Sequence, residues 1–436
     1  VSINPIKPVQ PEGTAAGLLA AADAGQPQWW QQLAQLGTPL IEPAGNSEVK
    51  MNYFWRDPTG TAQQSAIVRV YIDINGITDH HSRTPQSLQR LAGTDIWYWS
   101  TTVDARWRGS YSLIPIDASQ LPPAFSADDN LASQQQREWW ISLFPLAIAD
   151  PLNPLRSYFN SRGQPLSAAH MPAAPPQTGW LAWDHHREAP VDTSRLQQFN
   201  WHSSRLDNQR RIWLYSSGET AQPATRPLVI LLDGQNWAQG IPLFSVIEQQ
   251  TAAGLLPAAC WLFIDVIDMA HREQELPCNP EFWQAIQQEL LPEARRRAAF
   301  TEDPQHTVVA GQSYGGLAAM YAGLHWPQRF GRVLSQSGSF WWPEVKFVTQ
   351  SAQRDSYQPG WLTRQVDEHH VAAATLTIFL EYGDREPSIG FVNQQMLRAL
   401  TAAGHRIEQR EFIGGHDSLC WRGGLLDGLQ RLLNAE

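Results

Sequence analysis

The stretch His306–Gly316, HTVVAGQSYGG, limits what this chain can fold into more than any other. His306–Ala310 is a short β-branched run, and the glycines of Gly311-Gln312-Ser313-Tyr314-Gly315-Gly316 keep large side chains out of the turn that follows. Leu317–Leu324 then carries apolar Leu317, Met320, Tyr321 and Leu324 at helical spacing and is stopped by Pro327. The pattern predicts strand, tight Gly-x-Ser-x-Gly turn and helix, the form of a nucleophile elbow. Such a turn needs its glycines because any side chain beside the serine would strike the strand or the helix. It lifts the serine oxygen clear of the sheet and turns the free N–H groups of a helix N-terminus towards a developing oxyanion. A bare Gly-x-Ser-x-Gly arises by chance and is then a small-residue turn holding an ordinary serine. The strand before it and the helix after it select the catalytic reading.

The rest of the second half has the rhythm of an α/β domain. Strand patterns fall at Arg211–Tyr215, Leu228–Leu232, Cys260–Val266, Thr307–Ala310, Arg332–Leu334, Thr375–Glu381 and Arg406–Phe412. Helical patterns fall between most of them, at Leu243–Ala253, Pro280–Arg297, Leu317–Leu324 and Phe391–Ala402. Near-continuous apolar runs such as LVILL and WLFID suit central parallel strands covered on both faces. The order of parts fits an α/β-hydrolase catalytic domain over residues 201–436.

The first half differs. Short aromatic strand patterns at Val49–Trp55, Ile67–Ile72, Ile96–Thr101 and Tyr111–Ile116 are separated by turn signals such as Asp57-Pro58-Thr59-Gly60. They predict an N-terminal all-β sandwich of the Ig/E-set kind over residues 46–155. Residues 1–45 are rich in Pro, Gly and Ala and read as a flexible leader, with a short helical candidate at Gln26–Leu36 that docks through Trp29 and Trp30. The proline-rich passage from Asp150–Pro154 through Ala173–Pro176 predicts a connection over residues 156–200.

Composition excludes several classes. A net charge of −10 argues against nucleic acid as the main partner. No apolar run reaches transmembrane length, and Ala15–Ala22 is too short for a signal-peptide core. Cys260, Cys278 and Cys420 are too few and too odd in number for a disulfide framework and suit a reducing compartment, although a Cys278–Cys420 bridge stays open. The expectation is a cytoplasmic monomer without a membrane partner. His80 and His81 are adjacent with no spaced third ligand, so they read as a solvated loop; no protein metal site and no cofactor are expected. Two biases stand out: 20 tryptophans, and only Lys7, Lys50 and Lys346 as lysine among 32 basic residues. A GC-rich genome accounts for most of the arginines; a pocket for a flat, oxygen-rich anion would account for some.

A serine nucleophile needs a base, an orienting acid and an oxyanion hole, and in α/β-hydrolases the chain order is serine, acid, histidine. Of His325, His369, His370, His405 and His416, the last follows the final strand in Ile413-Gly414-Gly415-His416-Asp417, a glycine loop able to bend over a sheet. His416 is the predicted base. The acid belongs after the preceding strand, where Leu380–Pro387 offers Glu381, Asp384 and Glu386. Glu381 ends the strand and is expected to be buried against Arg385 or a helix end. Glu386 is preferred and Asp384 is the alternative. One oxyanion donor is the Tyr314 N–H; the other is the N–H of Gly234 or Gln235, after the strand Leu228–Leu232.

These segments together resemble the enterochelin (enterobactin) esterases of the esterase-D-like superfamily. The similarity lies in LLDGQNWAQ (Leu231–Gln239), IDVIDMAHREQELPCNPEFW (Ile264–Trp283), AGQSYGGLAAMYAGLHWPQRFG (Ala310–Gly331), SQSGSFWWP (Ser335–Pro343) and GGHDSLCWRGGL (Gly414–Leu425). It extends to FWRDPTG (Phe54–Gly60), ITDHH (Ile77–His81), AGTDIWYW (Ala92–Trp99), RGSY (Arg108–Tyr111) and ADPLNP (Ala149–Pro154). The resemblance implies a trilactone of 2,3-dihydroxybenzoyl-serine as substrate, a catecholate siderophore that brings Fe(III) with it. It matches Ser313 and His416 to the family's catalytic pair, fits Glu386 through its Gly-x-x-Glu spacing from Gly383, and gives Arg272 and Glu275 a place beside the site. For Arg272 an anion-holding role and a structural Arg–Glu pair are equal readings. Trp237, Trp341, Trp342 and Trp421 fall in or beside the site loops and suit a flat aromatic anion; core packing is the better reading for at least half of them. The nearest other reading is an esterase of feruloyl or small acyl esters, which the first-half segments disfavour. A catalytically inert siderophore- or carbohydrate-binding protein is disfavoured by the intact serine, histidine and acid loop.

Overall fold

The structure is a computed structural model and describes residues 14–435. Its contacts divide the described residues into two compact units, 14–176 together with 413–419, and 177–412 together with 420–435.

In the first unit eight strands pair throughout in antiparallel fashion: β1 (Leu40–Gly45), β2 (Glu48–Arg56), β3 (Ile67–Ile74), β4 (Ser87–Arg90), β5 (Ile96–Asp104), β6 (Arg108–Asp117), β7 (Tyr158–Phe159) and β8 (Pro165–His170). Their order is β1-β2-β5-β4-β3-β6-β8-β7. Alternation along β2 and β5 sends neighbouring side chains to opposite faces. Tyr53 and Trp97 enter a cluster with Val70, Ile72, Trp107 and Tyr111. Phe54 and Ile96 enter another with Leu18, Trp29, Trp30 and Leu33. Trp107 is fully buried over Gly109, where a Cβ would lie 2.3 Å from the indole. That approach explains why RWRG needs its glycine.

Three expectations need correction here. Residues 14–45 are not a flexible leader: Ala15–Ala20 and Pro27–Leu36 are helices, β1 pairs with β2, and Trp29 and Trp30 are buried. Both indoles are satisfied, Trp29 Nε1 donating to the Leu18 carbonyl at 2.8 Å and Trp30 Nε1 to Asp95 Oδ1 at 3.0 Å. The part of the leader before residue 14 lies outside the described residues. The unit is not all-β, because the helix Asp129–Ser142 covers Tyr71, Ile114 and Ile116 with Trp139 and Trp140. Its boundary is not near residue 155 either, since β8 pairs with β6 inside the supposed connection.

The second unit holds β9 (Leu196–Ser203), β10 (Asn208–Ser216), β11 (Leu228–Leu231), β12 (Cys260–Ile264), β13 (Thr307–Gln312), β14 (Arg332–Gln336), β15 (Thr377–Gly383) and β16 (Arg406–Phe412), in the order β16-β15-β14-β13-β11-β12-β10-β9. The pairs from β12 to β16 are parallel, and β9 and β10 join antiparallel at one edge. Strands β11 to β14 are buried at every residue: β11 and β12 are unbroken apolar runs, whereas β13 and β14 also bury Thr307, Gln312, Arg332, Ser335 and Gln336. Helices connect the strands, among them Phe244–Ala252, Tyr314–His325 and Pro387–Ala402. The predicted run Pro280–Arg297 is helical throughout but widens over Ile286–Leu290, just before Pro292, which has no N–H to continue the regular ladder. The chain reverses its direction across the sheet at β11, which lies between β12 and β13. Loops leaving the carboxyl ends of β11 and β13 are therefore neighbours, the place where such sheets carry their sites.

The closing helix, Ser418–Asn434, is tied down by a fully buried Arg422. Its guanidinium makes two 2.7 Å bonds to Asp184 and a third to Gln177, and lies over the rings of Trp180 and Trp183. Substituting Arg422→Met leaves the Asp184 carboxylate buried without its partner, an expected loss of about 3–5 kcal/mol. Arg106→Ala, which removes an exposed pair with Asp104, should cost under about 1 kcal/mol. Urea unfolding of the two variants followed by tryptophan fluorescence checks the contrast.

Candidate active site

Ser313 is held at φ 59° and ψ −122°, a left-handed conformation that side chains normally avoid. Its N–H donates to the Gln336 carbonyl at 3.0 Å, and its own carbonyl accepts from Leu317 and Ser339 N–H groups, both at 3.1 Å. Gly311 makes the geometry possible: a Cβ there would fall 2.1 Å from the Gly315 carbonyl oxygen. The helix begins at Tyr314, three residues before the expected Leu317, because the turn itself supplies its first turn. Ser313 is half-buried, and its Oγ lies 3.3 Å from Ser339 Oγ.

The loop after β11 lies against this turn. Asp233 also has positive φ, 50°, and Gly234 packs so closely on β12 that a Cβ would sit 2.3 Å from the Ile264 nitrogen. Gln235 is fixed through its side chain, whose Oε1 accepts from Val266 N–H at 3.3 Å. The Asp233 carboxylate receives Arg272 Nε at 2.6 Å and Nη2 at 2.9 Å. Burial by itself lowers the pKa of Arg272, but the charge and bonds of Asp233 outweigh it and the guanidinium is held firmly protonated. Arg272 also faces the ring of Tyr314, which in turn contacts Trp341. Burial raises the Tyr314 phenol, so it stays neutral.

The three carboxylates after β15 have different surroundings. Glu381 is fully buried and bonded to Arg410 at 2.8 Å and to Gln336 at 2.5 Å, so its partner is Arg410 on β16 and not Arg385. Burial raises its pKa against the opposing charge of Arg410. Asp384 is exposed, 4.0 Å from Arg385. Glu386 is only 5% exposed, and its Oε2 accepts from Gly383 N–H at 2.7 Å and from Ser337 Oγ at 2.8 Å. Ser337 Oγ is in turn bonded by Trp421 Nε1 at 2.9 Å.

His416 lies in the loop that the contacts group with the first unit, with its side chain exposed between buried Gly415 and Asp417. The other downstream histidines have local roles: His325 Nδ1 is 3.1 Å from the Tyr321 carbonyl, His405 Nδ1 accepts from Leu376 N–H at 3.1 Å, and His369 and His370 are exposed.

Two predicted substrate contacts belong to packing. Trp237 is fully buried, donating Nε1 to Gln312 Oε1 at 3.0 Å. Glu275 is paired with buried Arg210 at 2.6 Å and with Asn208, so it is not the partner of Arg272. Trp421 is buried and serves Ser337, whereas Trp341 and Trp342 are half-buried. Sequence reasoning gave no role to Asp233, Ser337 or Ser339. The two serines sit in the quoted SQSGSFWWP segment, yet the positive φ of Ser337, 48°, leaves no mark in residue type. The three cysteines are free and buried, which removes the Cys278–Cys420 bridge. Among the described residues no three or more His, Cys, Asp or Glu side chains are gathered to hold a metal, and no helix is long and apolar enough to cross a membrane.

The family profile described as "Enterochelin esterase, N-terminal" matches residues 50–180, and the one described as "Putative esterase" matches residues 203–432. An iron(III) enterobactin esterase from Dickeya dadantii (strain 3937) is 59% identical over 427 residues, covering 98% of this chain and 97% of that protein. The enterobactin esterase from Shigella flexneri, solved in the presence of enterobactin, is 43% identical with a TM-score of 0.80, covering 94% of this chain and 98% of that one. A ferric enterobactin esterase from Salmonella typhimurium is 44% identical with a TM-score of 0.82, covering 93% of this chain and 98% of that one. With identity of this extent running through both units, the chain belongs to the iron(III) enterobactin esterase family.

Proposed function

We propose that this protein hydrolyses the ester bonds of the serine trilactone in ferric enterobactin, inside the cell, as a serine esterase of the α/β-hydrolase class. The observation that carries the reading is Ser313 at φ 59° on its glycine turn, in a chain 59% identical to a named iron(III) enterobactin esterase. Ser313 Oγ attacks the ester carbonyl while His416 takes its proton. The tetrahedral oxyanion is received by the Tyr314 N–H and by the N–H of Gly234 or Gln235. Collapse breaks the bond to the seryl oxygen of the next unit, His416 returns the proton to that oxygen, and an acyl group remains on Ser313. Water, deprotonated by His416, then attacks the acyl-enzyme, and the proton goes back to Ser313 Oγ.

Glu386 is the acid of this reading, orienting His416 and stabilising its charged form. Its burial and its bonds to Gly383 and Ser337 support it over the exposed Asp384. Arg272, Trp341 and Trp342 suit a flat catecholate anion, by charge and by stacking. Iron travels as cargo of the substrate: opening the esters weakens hexadentate chelation and frees Fe(III) for reduction. The first unit is read as an Ig/E-set-like sandwich, and the protein as a cytoplasmic monomer.

Time-resolved product analysis with ferric enterobactin should show linear trimer, dimer and monomer of dihydroxybenzoyl-serine in succession. Turnover of only p-nitrophenyl or feruloyl esters would discard the substrate and keep the nucleophile. Ser313→Ala should abolish cleavage with binding of ferric enterobactin retained, and turnover by that variant would remove Ser313 from the mechanism. Glu386→Gln should lower kcat by roughly 10²–10⁴-fold, whereas Asp384→Asn, at an exposed residue 4.0 Å from Arg385, should stay within about twofold of the parent. The reverse order in steady-state kinetics would make Asp384 the acid.

A further inference from the structure

The loop carrying His416, residues 413–419, is grouped with the first unit, and its hydrogen bonds run to residues of that unit. Asp417 is 3% exposed, and its Oδ2 accepts from Ser110 N–H at 2.6 Å and from Ser110 Oγ at 2.9 Å. Its Oδ1 accepts from Leu419 N–H at 3.0 Å, closing the turn on its own side. On the same side, Asn75 Nδ2 donates at 2.8 Å to the carbonyl of His416 itself, the one that joins it to Asp417. Further back the Ile413 carbonyl accepts from Arg108 N–H at 3.3 Å.

The two anchors are also joined to each other. Asn75 N–H, just past the end of β3, donates to the Ser110 carbonyl near the start of β6 at 3.0 Å. The loop fits this surface with no slack: a Cβ on Gly415 would fall 2.3 Å from Asn75 Oδ1 and 3.1 Å from Gly76. Hydrogen bonds to a carboxylate are shorter and stronger than neutral ones. The backbone after His416 is thus bonded to a sheet, the backbone before it is held by the Ile413 bond and the close packing of Gly415, and His416 is exposed between buried neighbours. The same contacts give a purpose to RGSY, a segment that the reaction does not otherwise use: its Ser110 donates to Asp417, next to His416 in GGHDS.

We propose that Asp417, Ser110 and Asn75 are positioning residues for His416, which fix the base by holding the backbone of its loop. This rests on His416 being the base in the reading above. Asp417→Asn, which keeps the shape and loses the charge-assisted pair, should lower kcat by roughly 10–100-fold, the scale of a small misplacement of a reacting group, with KM within about twofold. Ser110→Ala keeps the backbone N–H bond and should cost only about three- to tenfold in kcat; it is the variant to rely on if Asp417→Asn folds poorly. The discriminating measurement is made in the full chain with His416→Ala. A positioning residue acts only through the histidine, so adding Asp417→Asn or Ser110→Ala to His416→Ala should change residual p-nitrophenyl ester turnover, and the labelling rate of Ser313 by a fluorophosphonate, by less than about twofold. Undiminished, additive losses in that background would overturn the proposal, as would parental kcat in both single variants. Parental activity in His416→Ala would overturn the proposal and the base assignment together. Failure to open ferric enterobactin, with small esters still cleaved, would sink only the substrate, and the same variants would still be decisive on the small ester.

Discussion

The site depends on one unfavourable backbone conformation. A non-glycine residue in the left-handed region costs on the order of 1–3 kcal/mol, and it persists only where the surroundings leave it no alternative. Ser313 follows β13, which is hydrogen-bonded on both sides by β11 and β14 and is buried at every residue. It precedes a helix with ten buried residues, so neither end of the turn can shift to relax it. The glycines act by absence: Gly311 lets the helix backbone approach the strand, and Gly316 lets it approach Ser335, where a Cβ would come within 2.8 Å of Oγ. Removing either void would oblige helix and strand to separate, and the serine would lose the constraint that presents it.

Behind the turn runs a buried polar chain of a kind that cores avoid unless it is satisfied. Gln312 accepts from Trp237 and donates to Gln336; Gln336 donates to Glu381 and to the Trp421 carbonyl; Glu381 is held by Arg410, which reaches on to Asp427. These groups sit at the carboxyl ends of β13, β14 and β15 and tie neighbouring strand ends together across the sheet. Trp421 also donates to Ser337 and so reaches Glu386. The side chains that hold the strand ends and those that hold the proposed acid are therefore one hydrogen-bonded set. That accounts for a buried glutamate beside a site where a neutral residue would be easier to bury.

Much of the second unit was legible because its strands carry local signals. Apolar runs mark β11 and β12, a β-branched run marks β13, and Gly-x-Ser-x-Gly between a strand and a helix pattern marks the turn. Residues 14–45 defeat a local reading because Pro, Gly and Ala speak for flexibility while Trp29 and Trp30 speak for burial, and only the sheet surface they cover decides between them. β8 was hidden in a proline-rich passage whose pairing with β6 is long-range. Glu275 and Trp237 were drawn to the site by nearness in sequence, yet Arg210 and Gln312, remote in the chain, claim them. In each case the deciding partner lay on another strand, where neither propensity nor periodicity reaches. The choice between Glu386 and Asp384 had the same character: two loop carboxylates alike in sequence are separated by the Ser337 hydroxyl, 49 residues away.

The histidine loop extends that argument from packing to chemistry. A Gly-Gly-His stretch left to itself would sample many conformations, and ordering it costs backbone entropy that glycine makes largest. A loop that supplied its own constraint would need bulk or proline, which the contact of Gly415 with Asn75 and Gly76 leaves no room for. The constraint is instead external: a buried aspartate next to the histidine, and a sheet that presents Ser110 and Asn75 already bonded to one another. Glycine and rigid anchor then answer the same requirement, because the backbone must come close enough to the sheet for its bonds to fix the residue.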